Sequence, residues 1–538
     1  MAKATLAAKF LSFGTVLTVV IAVSIVKLHL LAMPLERDEG EYAYIAQLLM
    51  HGSPLYLNAF SAKLPGIYLF YAIIMTLFGQ SSYGIHLGLL VLNAASTMLV
   101  FLLARRLLDT HAGVIAAAVF ALLTLGKYAF AFNIEHLVVF FFLSGSILML
   151  RALDTGSGFL LSGLLFGSAF MTKQHAAFFV LFAAFYIVWS HMAARPPALK
   201  AGVKRTALFL SGAALPFMAA CFIFYMQGVF KSFWFWIFMY ASKYCTLMKF
   251  SDGIGSFLYI SNKMIGSSPI LWAVAGAGLV AMRWSSLERP KAVFIAAFSA
   301  CSFLAITPGL YFRHHYFILL FPAVALSAGI AARFLERYLS GKGVAVGRRA
   351  AILAVLFAAL FGYSVFQARQ FLFQMSPESA VHCIYIRSPI AESVEVAKYI
   401  ESRSDKDSRI IVLGSEPQIY FYLQRRAPVS YIYMYPLLED TPYAALMQER
   451  FKKEVESAGV EYLIIVHIST SWFNWYANEK IGKPLFDWID AYRKEHYDIV
   501  GVVDMVSHDK SVYLWDDAAR IYRPRSDSYM LVFKRKAA

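Results

Sequence analysis

Apolar runs of helical length recur along the chain at about 10–32, 82–104, 112–130, 137–151, 158–171, 174–192, 206–227, 267–283, 291–307, 315–335 and 350–367. Each is long enough, or nearly so, to cross a hydrocarbon layer of about 30 Å; the run at 158–171 is short. Past about residue 370 the pattern changes. Short β-branched runs at 409–414, 461–467, 498–503 and 529–534 alternate with helical periodicity near 389–403, 442–458 and 484–496. The pattern predicts a polytopic α-helical membrane protein of about eleven transmembrane helices, with a C-terminal extracytoplasmic α/β domain. Residues 1–370 form the membrane domain and residues 371–538 the soluble one.

Two connections are too long to be simple links. The first, 33–80, begins with a helical stripe of Tyr42, Ile45, Ala46 and Leu49, stopped by His51-Gly52-Ser53-Pro54. Its second half, 67–79, is apolar but short and follows Pro65-Gly66, which suits a helix lying in the membrane interface. The second, 228–265, carries Trp234, Phe235, Trp236, Phe238 and Tyr240 and reads as an aromatic belt at the outer face.

Composition excludes a soluble protein: 59% of residues are hydrophobic, 15% are charged, and the mean hydropathy is +0.59. The net charge of +16 is unevenly placed. Residues 1–370 hold 28 Lys/Arg against 10 Asp/Glu, and the remainder 21 against 23. The basic excess therefore belongs to membrane loops, and a nucleic-acid partner is excluded as its explanation. With Lys3 and Lys9 ahead of an uncleaved signal anchor, the alternate loops carrying Arg105-Arg106, Arg151, Lys200-Lys204-Arg205, Arg283-Arg289 and Arg333-Arg349 fall on one side. That bias predicts a cytoplasmic N-terminus, and an outward-facing 33–80 loop and C-terminal domain. Four cysteines without paired spacing indicate no disulfide framework.

Acids are so scarce in the first 370 residues that their placement is informative. Four of those ten lie within six residues: Glu36, Asp38, Glu39 and Glu41. Helix capping is the structural reading, with Asp38 at the N-cap and Glu41 closing a capping box. It leaves Glu39 without a role. Paired carboxylates at a water-facing membrane surface are suited to taking a proton from a hydroxyl or to holding a divalent ion. Glu135 is the sole acid between Asp109 and Asp154. It reads either as an interfacial charge paired with Lys127 or His136, or as a further functional carboxylate facing the first cluster. Lys63, Lys173 and the run Arg313-His314-His315 lie at span boundaries. Singly each reads as a snorkelling cation; together they suit a phosphate clamp opposite a proton acceptor. Adjacent histidines lack the spacing of a zinc helix.

Several stretches resemble the C-type glycosyltransferase superfamily, nearest its protein O-mannosyltransferase and lipid A aminoarabinose-transferase branch. Arg37-Asp38-Glu39-Gly40-Glu41-Tyr42 is similar to that family's first-loop acidic signature, and Lys63-Leu64-Pro65 to its Lys-Pro-Pro turn. Asn133-Ile134-Glu135-His136 falls where the second acidic motif is expected. Gly163 through Lys173 resembles a glycine-rich span ending in Thr-Lys, and residues 314–326 a late Tyr-to-Pro span. Ala62, Leu64 and Gln174 depart from the pattern, Ala62 by removing a carboxylate that the aminoarabinose branch carries.

The resemblance implies a polyprenyl-phosphate sugar donor, an inverting transfer and a bacterial inner-membrane location. It implies Asp38 as general base, Glu39 and Glu135 as orienting groups or, with Asp38, ligands of a divalent ion, and Glu41 and Tyr42 as acceptor or supporting residues. Lys63, Lys173, Arg313, His314 and His315 are the implied phosphate-binding set. The rival readings are a transporter or flippase for lipid-linked sugars, a receptor acting through its C-terminal domain, and a polymer ligase of the same fold. Charges crowded on one face, and the lack of two related halves, favour the enzyme.

Overall fold

The structure, a computed structural model, describes residues 2–472, 479–507 and 509–537. The chain divides into two compact units. The first comprises Met1–His29, His86–Phe222 and Met248–Gln374; the second comprises Leu30–Ile85, Ile223–Leu247 and Met375–Ala538.

Among the described residues, seven helices are long and apolar enough to cross a membrane. They are Ser12–Leu30, Ser82–Leu107, Ile134–Thr155, Gln174–Met192, Leu199–Met226, His314–Gly341 and Val346–Gln367. Helices Phe250–Ser267 and Pro269–Trp284, bent by 104°, make an eighth if counted as one broken span. The break has a local cause. Ser268 leaves the helical region (φ −155°, ψ 56°), and Pro269 has no N–H to continue the ladder. The protein is a multi-pass helical membrane protein. Three expected spans, 112–130, 158–171 and 291–307, become helices Thr110–Leu123, Phe159–Thr172 and Arg289–Leu304 of 14, 14 and 16 residues. At 1.5 Å per residue they reach only about 21–24 Å. Thr110–Leu123 is buried along most of its length, so its apolar sequence answers to protein neighbours rather than to lipid.

Glycine sets one of the close helix contacts of the first unit. Gly163 and Gly167, one turn apart on Phe159–Thr172, lie directly against the backbone carbonyls of Phe209 and Ala213 on Leu199–Met226, leaving no room for a Cβ. Small residues at this spacing let two helices pack backbone to backbone. Helix Ile134–Thr155 packs on the same short helix, where the Ser162 hydroxyl donates to the Gly145 carbonyl (2.9 Å).

The second unit is built on five strands: β1 Ile410–Leu413, β2 Tyr462–His467, β3 Tyr497–Ser507, β4 Lys510–Trp515 and β5 Tyr529–Arg535. Their order is β1-β2-β5-β3-β4, with β1 parallel to β2 and the other pairs antiparallel. The four strands read from sequence are β1, β2, β3 and β5; β4 is an additional edge strand. Helix Ala444–Ser457 lies in the crossover between the parallel pair. Helix Arg37–Met50 of the first loop packs on helix Gln418–Leu423, which follows β1. The Tyr44 and Tyr420 rings meet at 5.3 Å, and the Ala427 N–H donates to the Tyr44 hydroxyl (2.7 Å). Gly40 makes that approach possible, since a Cβ there would stand 2.6 Å from Gln418 Cβ and 2.7 Å from its backbone nitrogen.

Candidate active site

Helix Arg37–Met50 starts two residues earlier than a cap at Asp38 would require. The N-cap is Glu36, in extended conformation (φ −69°, ψ 170°), with a capping box to Glu39. The Asp38 N–H donates to Glu36 Oε2 (3.1 Å), and the Glu36 N–H to Glu39 Oε2 (3.2 Å). The expected cap at Asp38 and Glu41 is thus corrected: Glu36 and Glu39 do the capping. Glutamate is an uncommon N-cap, which is why the sequence pointed to the aspartate.

Asp38 and Glu41, relieved of capping, converge on one cation. Lys63 Nζ lies 2.8 Å from Asp38 Oδ1 and 2.7 Å from Glu41 Oε2, and 4.5 Å from the centre of the Tyr42 ring. Burial works against the Lys63 charge, but the two carboxylates outweigh it and hold the ammonium above its ordinary range. Accessibility separates the acids: the Asp38 side chain is 24% exposed and that of Glu41 5%. Glu36 and Glu39 are buried. Burial, then the charges of Asp38 and Glu39, push the Glu36 carboxyl well above the usual carboxylate range. Arg37 turns the other way, donating to Glu416 (2.8 Å), the Tyr435 hydroxyl (2.9 Å) and the Thr470 carbonyl (2.6 Å). Among the four acids, Asp38 offers the most open carboxylate to an incoming hydroxyl.

The first unit holds a second cluster. Glu135, in the first turn of Ile134–Thr155, accepts from Lys173, so its partner is neither Lys127 nor His136. His136 is engaged by the Asn93 amide oxygen (3.0 Å). The pairing follows from packing, because Lys173 ends the short glycine-bearing helix in an extended conformation (φ −152°, ψ 133°). Lys173 Nζ also stands 3.7 Å from the centre of the Tyr316 ring, against which His175 and His315 both pack at 5.0 Å. His314 stacks on Tyr128 (4.3 Å, 10°), and the exposed Arg313 lies over Tyr311 (5.5 Å). Lys173, Glu135 and His315 are thus gathered at the Tyr316 ring, whereas Arg313 lies over Tyr311. Tyr316 and His175 were not singled out from sequence. An aromatic beside paired histidines and a histidine two residues past Lys173 were the available signals.

A divalent ion does not fit these carboxylates as they stand. Asp38 and Glu41 share the Lys63 ammonium, Glu135 is bound by Lys173, and Glu39 closes the cap. Among the described residues no three His, Cys, Asp or Glu side chains are grouped to hold a metal.

The fold recurs among solved structures. An archaeal oligosaccharyltransferase, AglB from Archaeoglobus fulgidus, determined with an inhibitory peptide and a dolichol-phosphate, superposes with a TM-score of 0.53. The match covers 95% of this chain and 75% of that one at 14% identity. ArnT from Cupriavidus metallidurans bound to undecaprenyl phosphate gives 0.51 over 84% of this chain and 92% of that one, at 16% identity. The fold is thus shared with an oligosaccharyltransferase and with ArnT. The family described as dolichyl-phosphate-mannose-protein mannosyltransferase matches residues 61–219. An undecaprenyl phosphate-alpha-4-amino-4-deoxy-L-arabinose arabinosyl transferase of Pseudomonas aeruginosa is 31% identical over 169 residues. That alignment takes in 28% of this chain and 30% of the relative's length.

Proposed function

We propose that this chain is an inverting glycosyltransferase of the bacterial inner membrane that moves a monosaccharide from a polyprenyl-phosphate donor to a hydroxyl of an acceptor. The observation that carries this reading is the Asp38 carboxylate, partly open, free of any capping duty and fixed by Lys63. The similarity to proteins named for undecaprenyl-phosphate and dolichyl-phosphate sugars supports the donor class. In the reaction, the acceptor oxygen forms a bond to the anomeric carbon while the bond from that carbon to the phosphate oxygen breaks, and Asp38 takes the hydroxyl proton. Polyprenyl phosphate departs with the electron pair. Phosphate is already a competent leaving group, so positioning and charge neutralisation supply most of the acceleration. Lys173 and Arg313 provide positive charge for the phosphate, His314 and His315 offer ring nitrogens for hydrogen bonds to it, and Glu135 and Tyr316 hold Lys173 in place. Glu41 and Tyr42 fix Lys63, and Glu39 shapes the helix start. The Lys/Arg bias of the loops supports a cytoplasmic N-terminus and an outward-facing Asp38 and C-terminal region.

The test is incubation of the purified chain with a panel of polyprenyl-phosphate sugars and candidate acceptors, reading release of polyprenyl phosphate. Asp38→Asn keeps the cap and the fold and is expected to lower turnover at least a hundredfold. Near-normal turnover in that variant removes Asp38 as the base.

A further inference from the structure

Tyrosines surround the acid cluster of the second unit in two sets. Tyr42, Tyr56, Tyr68 and Tyr71 are fully buried and belong to its wall. Tyr385, Tyr433 and Tyr435 are half-buried and come from the C-terminal part of the chain. Tyr435 is immobilised: it accepts from Arg37 (2.9 Å), donates to the Thr470 carbonyl (2.5 Å), and meets the Tyr433 ring edge to face at 4.9 Å. Tyr433 lies within electrostatic reach of Asp38 and Glu41, and Tyr385 within reach of Glu36, Glu39 and Asp38. Burial first, then these acids, keep both as phenols, so each hydroxyl is a donor. Among the described residues neither hydroxyl has a hydrogen-bond partner.

The composition of this place is specific. It offers phenol donors, aromatic ring surface and one partly open carboxylate acceptor. The local cations are already engaged, with the Lys63 ammonium between Asp38 and Glu41 and both terminal nitrogens of Arg37 bonded. Asp38, Glu39 and Glu41 border it against the single Lys63 charge, so a phosphate group entering here meets net negative charge without a free counter-cation. A sugar ring matches it: hydroxyls that both give and take hydrogen bonds, and C–H faces that lie against aromatic rings.

We propose that Tyr385, Tyr433 and Tyr435 form with Asp38 a subsite for an uncharged sugar ring, the ring that bears the attacking hydroxyl of the acceptor. The proposal rests on the transferase reading and refines it: the acceptor nucleophile is a carbohydrate hydroxyl, and a phosphate oxygen is rejected.

Binding tests this without turnover. The full-length protein in lipid nanodiscs is mixed with neutral methyl glycosides of glucose, galactose and mannose, or with the corresponding sugar 1-phosphates, and saturation-transfer NMR reads contact. The expected result is transfer to at least one neutral glycoside and weaker transfer to its phosphate. A fivefold or greater loss is expected in Tyr433→Ala, with a smaller loss in Tyr433→Phe and Tyr385→Phe, which keep the rings and remove only the hydroxyls. No transfer in the wild type, equal transfer in all variants, or preference for the sugar phosphate each overturns the subsite. Because no donor is present, failure of the donor panel leaves this readout intact, and failure here leaves donor cleavage intact.

Discussion

Glu36 and Asp38 stand two residues apart and carry opposite kinds of duty. Glu36 satisfies backbone donors at a helix start, whereas Asp38 faces Lys63 with part of its carboxylate open. Substitutions separate the two. Glu36→Ala removes the cap and is expected to cost about 1 kcal/mol in unfolding free energy with turnover retained, while Asp38→Asn, which weakens the pair with Lys63, costs about 1 kcal/mol as well but removes turnover. Unfolding of detergent-solubilised protein, run beside the transfer assay, checks both halves. The acids themselves were legible in the sequence because carboxylates are rare in an apolar chain. Which of them caps was not, since aspartate is the commoner cap and the choice depends on where the chain enters the helix. The Glu135 partner was likewise hidden: Lys173 lies 38 positions away and is delivered by helix packing.

Elements show the same division between local pattern and tertiary placement. β1, β2, β3 and β5 announce themselves as apolar β-branched runs, whereas β4 is a half-exposed edge strand with a polar start that only its pairing with β3 reveals. Apolar length located the long helices and failed to separate exposed apolar faces from protein-buried ones, as Thr110–Leu123 shows. The glycine pair on Phe159–Thr172 gives a sharp test. Gly163→Ala or Gly167→Ala pushes a methyl group into the backbone of the neighbouring helix, and each is expected to destabilise the protein by about 2 kcal/mol. An exposed glycine such as Gly276 should tolerate alanine in the same thermal-unfolding assay. A second test uses Glu439, a buried residue whose carboxylate accepts from the Tyr240 hydroxyl. Burial pushes its pKa up to about 7, with the Tyr240 bond pulling the other way. The folded state therefore holds this proton more tightly than the unfolded one. The contribution, about 3 kcal/mol, is fully present below about pH 4.5 and lost as pH rises through about 7. Unfolding midpoints should fall between pH 5 and pH 8, and Glu439→Gln should flatten that slope.

At the scale of the whole molecule, the second unit is assembled from three separated stretches of chain. The first loop is not a freestanding hairpin. Leu35 donates to the Tyr422 hydroxyl (2.7 Å), Phe60 to the Ser430 carbonyl (2.8 Å), and Arg37 to Glu416. Truncation after Gln374 is therefore expected to leave residues 30–85 open to limited proteolysis and without transfer activity, while the intact chain is protected there. Protection of that loop in the truncated chain contradicts the assembly.

The bond between Arg37 and Glu416 joins positions 379 apart in sequence. At a ribosomal pace of roughly 5–20 residues per second, the arginine emerges some 20 to 80 seconds before its glutamate exists. During that interval the acidic loop lacks the C-terminal surface it packs on, and Asp38 lacks Tyr385, Tyr433 and Tyr435. The first loop of a newly made molecule thus waits without its counterpart until the C-terminal strands leave the ribosome.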